Sequence, residues 1–453
     1  MRIGIRRENK NKWEGRVPLI PSDVAALQQQ QHLKFVVQPS EIRTFKDSEY
    51  KELGVSVDER MRGASIIFGV KEVPVRLLRP GKVYIYFAHV VKAQPYNMPM
   101  LQRLLDFGCS LIDYEKIADD NNRRLVFFGR HAGYAGMIET LRALGQRLAL
   151  SGTITPLAEV RPAYEYRDLA DAKEHLRELG ARMVRDGLPE AARPLVFGIA
   201  GYGNVSEGAQ EVLGALPIES VPVNQLRDIA SRRGPGSPLM VKVVFREEDM
   251  ARPLDPQASF ELQDYYAHPE KYSGRFEEYL DHLDVLVNSI YWEPRYPRLV
   301  TREWVRKQWA EGGSPRLKII GDISCDIDGS IEPTVKATSP EAPCFVYDPV
   351  DGKAHDGVEG RGPVVMAVDN LPCELPREAS QHFSAVLRTM VADIAGADWQ
   401  ADFDALSLPS HLKKAVIVHK GELTPAYAYL KQHLPAASSD KGTPERRPPM
   451  RAP

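Results

Sequence analysis

The sequence predicts an α/β protein of two domains, each built on a mainly parallel sheet, with a cleft between them. Three observations predict it. Over residues 1–130, short apolar runs alternate with amphipathic segments, the pattern of βαβ units. A second such pattern opens at RPLVFGIAGYGNVSEGAQEVL, where an apolar run meets a glycine-rich turn and then a helix signal. The chain of 453 residues is long enough for two or three domains, each with a substantial core. Both domains are expected to be Rossmann-like.

In chain order, strands are expected at 1–6, 33–38, 64–70, 82–88, 110–114 and 124–129. Between them, Ser22 caps a helix over DVAALQQQQ and Asp47 opens one that ends on Gly54. Residues 132–150 have apolar positions near helical spacing and read as a long helix leaving the first domain. A further helix spans 163–180, closed by Gly180. Later strands are expected near 218–223, 282–291 and 317–323, and helix returns over 370–395. The domains are therefore expected at 1–150, completed by C-terminal helices over about 370–434, and at 151–369. Residues 435–453 are rich in Pro, Ser and charge, and are expected to be disordered.

Composition narrows the function. A net charge of −2 gives no general attraction to nucleic acid or an anionic membrane. No apolar run approaches the ~20 residues of a membrane helix. The opening MRIGIRRENK is a charged strand rather than a leader, so a cytoplasmic protein is expected. The four cysteines, Cys109, Cys325, Cys344 and Cys373, are scattered, so neither a disulfide framework nor a metal site is expected.

The turn Gly201-Tyr-Gly203-Asn-Val-Ser206 reads as a dinucleotide loop. The first glycine permits the tight turn, the second lets a pyrophosphate approach the backbone, and a small third residue packs helix on strand. A strand at 218–223 would end on Pro222-Val223-Asn224, with no acid for ribose hydroxyls. Arg227, Arg232 and Arg233 follow. A missing acid near arginines leans toward NADPH, with NADH or NAD as the alternative.

The strands of the first domain end on ionisable groups. Lys71 and Glu72 follow ASIIFGV, His89 follows KVYIYFA, and Glu115 follows SLIDY. Alone, each reads more readily as a solvated cap, a surface group or a structural histidine. Together, on adjacent parallel strands, they would converge where ligands bind, beyond the carboxyl ends. A lysine, a histidine and two carboxylates beside a nicotinamide suit the making or breaking of a C–N bond, which needs proton relays. Arginines such as Arg16 and Arg124 suit substrate carboxylates.

The stretches IRRENKNKWEGRVPLIPSDV, GVKEVP, YFAHVVKAQPYNM, LIDYEKI, GYGNVSEGAQ, SIYWEPRYPRLVT and GDISCDIDGSIEPT together resemble the lysine–ketoglutarate reductases. These form the reductase half of bifunctional aminoadipic semialdehyde synthase and are related to the lysine-forming saccharopine dehydrogenases, within the alanine dehydrogenase/transhydrogenase-like superfamily. The resemblance implies reductive condensation of L-lysine with 2-oxoglutarate to saccharopine. By it, Lys71 and His89 match an acid–base pair, and Glu72 and Glu115 match carboxylates near the lysine substrate. Arg16 and Arg124 match arginines for substrate carboxylates. Gly201, Gly203, Asn204 and Val205 match the dinucleotide loop, with Ile290 and Asp322 as further cofactor-side positions. The chain is expected to be monofunctional, with a separate saccharopine-cleaving dehydrogenase as its partner in lysine degradation. The alternatives are the reverse, NAD-dependent lysine-forming reaction and an alanine-dehydrogenase-like reaction on a small oxo acid.

Overall fold

A computed structural model of the chain describes residues 2–232, 236–310, 313 and 315–435. Arg233 and the tail from 436 onward lie outside the described residues. The chain divides into two units, one made of Met1–Phe127 with Ser380–Pro453, the other of Phe128–Ala379.

The first unit holds an eight-stranded sheet in the spatial order Glu422–Leu423, Val416–His419, Ser110–Asp113, Val83–Tyr86, Ala64–Phe68, Arg2–Ile5, Lys34–Val37 and Ser56–Val57. From Ser110–Asp113 to Ser56–Val57 every pairing is parallel. The central strands, such as VYIY, are buried on both faces, which is why they read as continuous apolar runs rather than alternating ones. The edge beyond Ser110–Asp113 is taken by Val416–His419, which pairs antiparallel with it. Residues 124–129, expected as a strand, therefore find no free edge. They make only an isolated bridge, Ala118 to Arg124, and run into a helix at Gly129.

The second unit is doubly wound. Its sheet runs Ala354–Asp356, Cys344–Tyr347, Val364–Met366, Ile319–Asp322, Val285–Asn288, Leu195–Ala200, Met240–Phe245 and Ile218–Ser220. Alternation along Leu195–Ala200 feeds two cores. Phe197 and Ile199 pack with Leu141, Leu176 and Val212, while Val196 and Ala200 pack with Phe276, Leu286 and Trp304. The strand order corrects one reading. The strand lying beside Leu195–Ala200 is Met240–Phe245, and Ile218–Ser220 is the outer edge.

Helix Gly129–Leu150 belongs to this second unit, so the first boundary falls at 127/128 rather than 150. The reason is backbone-close packing. A Cβ on Gly133 would overlap the carbonyl oxygen of Val205, and one on Gly208 the carbonyl oxygen of Arg130. Helices Gly129–Leu150 and Asn204–Leu213 thus cross at glycines on both sides. The same helix lies against the strand ending at Asp322, where a Cβ on Gly321 would strike Thr140. The return to the first unit falls at 379/380, inside helix Pro376–Leu387. The helix expected at 163–180 spans Leu169–Asp186 and ends at Gly187, which has φ +77°. Gly180 is interior because its face meets Pro217, 3.0 Å from where a Cβ would stand.

Candidate active site

Strands Ala64–Phe68, Val83–Tyr86 and Ser110–Asp113 are adjacent and parallel, so Lys71, Glu72, His89 and Glu115 follow the same end of one sheet. The turn after the first strand is held from beneath. Buried Glu8 accepts hydrogen bonds from the N–H groups of Val70 at 2.9 Å and Lys71 at 3.0 Å. Burial raises the Glu8 pKa, while the Arg6 guanidinium 3.4 Å away works against that rise. Lys71 is half-buried.

Glu72 joins two strand ends. Its Oε1 lies 3.0 Å from His89 Nδ1 and 3.2 Å from Lys10 Nζ. Burial opposes its charge, but the hydrogen bond and charge of His89, a backbone contact and the Lys10 ammonium outweigh it. The carboxyl falls to about 2. Its Oε2 is buried and accepts no hydrogen bond. Glu72 is therefore an anion held between two donor groups, the His89 ring and the Lys10 ammonium.

His89 sits in the left-handed region at φ +50°, uncommon for a residue other than glycine. Its ring stacks on Phe87, with centroids 6.1 Å apart and planes 15° apart. Phe87 in turn meets Tyr114 and Phe383 edge-on or tilted. The buried Asn97 amide donates to the carbonyls of Ala88 at 3.0 Å and His89 at 3.2 Å.

Glu115 and Arg124, expected to meet substrate separately, form an ion pair with each other. Arg16 is buried in a bidentate pair with Glu14, at 2.7 and 2.6 Å, so two of its donors are already directed inside the protein. Asp113 is a site residue that sequence reasoning passed over. It is fully buried, and Oδ1 accepts the Glu115 N–H at 2.9 Å. Burial pushes its carboxyl up to about 6 against that bond, with the Glu115 charge adding to the rise and the charge of His89 lowering it. The signal was a lone acid inside the apolar strand SLID.

The second unit carries the glycine loop. Gly201 has φ +97°, and a Cβ there would stand 3.0 Å from Ile290 Cγ2 and 3.2 Å from Ser289 O. Only glycine makes this turn without strain. Around Gly203 the space is open, and it begins helix Asn204–Leu213, whose first turn has no side-chain cap. Asn204 is exposed on that turn, Val205 packs toward the core, and Ser206 is fully buried as the small third residue. An open, uncapped helix start behind a glycine that a methyl would block fits the pyrophosphate of a dinucleotide.

Ile290 lines a cavity of about 310 Å³ together with Gly201, Gly203, Tyr266, Trp292 and Tyr296. Asp322 lies beneath this region and is used internally. Its oxygens accept from Asn288 Nδ2 at 2.8 Å, Thr334 Oγ1 at 2.5 Å and the Cys325 N–H at 3.3 Å. Burial pushes it up to about 6 against those bonds. Glu247 lines the same cavity and was also missed. It follows Met240–Phe245, the strand beside the glycine-loop strand, where a ribose-binding acid is placed. Tyr202 and Tyr266 donate their hydroxyls to it at 3.2 and 2.6 Å, and Arg246 lies over the Tyr202 ring at 4.8 Å. An acid is thus present after Met240–Phe245 rather than in 218–223, where the sequence reading sought one. Arg227 lines a separate hollow with Asp228, Asp249 and His282. Among the described residues, one group of possible metal ligands, Asp348, Asp351 and His355, lies in another part of this unit, around an outer hairpin.

Residues 4–135 match the family described as "Alanine dehydrogenase/PNT, N-terminal domain", and residues 240–426 match "Alanine dehydrogenase/PNT, C-terminal domain". The chain belongs to the alanine dehydrogenase/PNT family. Within this family it is similar to an alpha-aminoadipic semialdehyde synthase of Arabidopsis thaliana, 37% identical over 445 residues that make up 94% of this chain and 41% of that protein. A mitochondrial alpha-aminoadipic semialdehyde synthase of Bos taurus is 34% identical, with 95% of this chain and 47% of that protein covered. The chain spans less than half the length of these two relatives. A saccharopine dehydrogenase [NAD(+), L-lysine-forming] of Neurospora crassa is 27% identical, covering 88% of this chain and 92% of that protein. The alanine dehydrogenase/PNT fold itself is matched by a solved L-alanine dehydrogenase, with a TM-score of 0.61 at 18% identity over 96% of this chain and all of that one. Among the described residues no helix is long and apolar enough to cross a membrane.

Proposed function

We propose that this chain is a cytosolic NAD(P)-dependent oxidoreductase that condenses L-lysine with 2-oxoglutarate and reduces the product to saccharopine. The observation that carries the reading is the Glu72–His89 hydrogen bond beside Lys71 at the ends of parallel strands. The likeness to the semialdehyde synthases of Arabidopsis and cattle supports it.

In this reading Glu72 remains ionised and its charge attracts the substrate ammonium. A lysine side chain has a reference pKa of about 10.4 and attacks a ketone only when neutral, so a base must take its proton. Lys71 and His89 share that task. One removes the amine proton, and the other protonates the departing hydroxyl as the carbinolamine loses water. The hydrogen bond that Nδ1 donates to Glu72 leaves Nε2 as the ring atom that exchanges the proton. Arg124, released from Glu115, and Arg16 are the groups proposed to hold substrate carboxylates. A nicotinamide dinucleotide bound at Gly201, Gly203, Asn204 and Val205 supplies the hydride.

Arg246 and Glu247 discriminate the cofactors. Glu247 accepts ribose hydroxyls and repels an added phosphate, whereas Arg246 attracts one. Glu247→Gln is expected to lower KM for NADPH about tenfold relative to KM for NADH, read from initial rates with each. An unchanged ratio would remove Glu247 from cofactor choice.

The lysine-forming direction is a second reading, favoured by coverage of nine-tenths of the Neurospora relative. The deciding assay follows cofactor absorbance with lysine, 2-oxoglutarate and NADPH or NADH, and then with saccharopine and NAD. Oxidation that needs both lysine and oxoglutarate supports reductive condensation. A response to saccharopine and NAD alone assigns the reverse direction. Silence in both, with ammonia and a small oxo acid active, assigns an alanine-dehydrogenase-like reaction.

A further inference from the structure

We propose that Asn97 and Asp113 are positioning residues, a buried layer beneath His89 and Glu115 that fixes where those two side chains stand. The inference rests on the function proposed above for its activity readout, but not for its structural ones.

His89 leaves its strand through a backbone conformation that costs a non-glycine residue free energy, and such a turn persists only where its surroundings enforce it. Asn97 is the visible enforcement. One amide nitrogen spans two successive carbonyls, Ala88 and His89, and is itself buried at the start of helix Met98–Asp106. Without those donors, two inward-facing carbonyls lose their partner and the turn is free to relax. The ring would then leave Glu72 Oε1, because backbone and ring are set by one residue.

Asp113 does the corresponding work for Glu115. Its Oδ1 caps the Glu115 N–H and directs the short turn Tyr114–Lys116, on which that carboxylate stands. Its Oδ2 is buried, and the backbone of Ala88, the residue before His89, acts on the carboxyl as well as the Glu115 N–H. The groups that sense or alter its charge are Glu115, His89, Tyr86 and Tyr427. The folded carboxyl holds its proton up to about 6, whereas an ordinary aspartate releases it near 3.8. Between those values the folded state binds more protons than the unfolded one, so native stability falls as pH rises through that window. An asparagine at 113 is spared this fall.

The test uses the full-length protein with Asn97→Asp and Asp113→Asn, both close in shape to the native residue. Nitrogen-15 spectra of the histidine rings, with His89 assigned through His89→Gln, report the hydrogen-bonded Nδ1 without substrate. Asn97→Asp is expected to erase that signature and to lower kcat about 10²-fold, with KM for the dinucleotide unchanged. Asp113→Asn is expected to lower kcat similarly. The difference in Tm, variant minus wild type, should grow between about pH 4 and pH 7. An unchanged His89 signature in Asn97→Asp, or a pH-independent Tm difference for Asp113→Asn, overturns the proposal. If the wild type is inactive with lysine and 2-oxoglutarate, the proposed function fails while the spectra and melting curves still decide this inference.

Discussion

His89→Gln is expected to lower kcat by about 10²–10⁴-fold, the range that a positioned proton-transfer group contributes. Binding of NADH or NADPH should be unchanged, because the glycine loop and Glu247 lie in the other unit. The amide keeps polarity and some reach, so the loss reports proton exchange rather than a cavity. The ring is about 30% exposed, which keeps the folding cost small. Lys71→Met should match it in magnitude if the two residues act on successive protons. In a double variant the losses should combine less than multiplicatively, since either loss alone stalls the same dehydration. Rates measured at saturating and at limiting lysine check this. A loss confined to KM for lysine would make His89 a binding group instead.

Gly133→Ala is expected to destabilise the second unit by about 3 kcal/mol or more, one of the larger effects a single methyl can have. The methyl would enter the carbonyl oxygen of Val205, which is backbone and cannot rotate away. Helices Gly129–Leu150 and Asn204–Leu213 must then separate, and the second of these carries the start of the dinucleotide loop. Thermal melting and dinucleotide titration should therefore fail together. A variant that melts like wild type would show that the helices can part at little cost.

Much of the first unit was legible because its signals are local. An apolar run ending on Lys71-Glu72, another on Ala88-His89 and a third before Glu115 need only parallel adjacency to bring their ends together, and that adjacency is observed. The glycine loop was legible for the same reason, since its turn, helix start and small third residue lie within six positions. What escaped was decided by distant pairing. Glu247 follows a strand that sequence order places third in its sheet and space places second, so the search for an acid stopped too early. The strand VIVH and its neighbour Glu422–Leu423 are joined by Lys420-Gly421, both at positive φ, a tight-hairpin signal that was present but unread. Helix Gly129–Leu150 was placed by chain order, whereas the glycine crossing at Gly133 and Gly208 decides its partner. Asp113 was hidden by its company, because an acid amid Leu111, Ile112 and Tyr114 reads as the end of a strand rather than the base of a site.

The antiparallel strand that seals the first unit is encoded some three hundred residues after the one it seals. During synthesis, Ser110–Asp113 leaves the ribosome with an unpaired edge and waits while the whole of the inserted second unit is made. At about 5–20 residues per second that interval is on the order of tens of seconds. Throughout it, the strand that carries Asp113 toward Glu115 is a bare template for any neighbouring chain. The inserted unit has all its strands in hand and is free to fold first. The first unit therefore has its complete sheet only once Val416–His419 has been made.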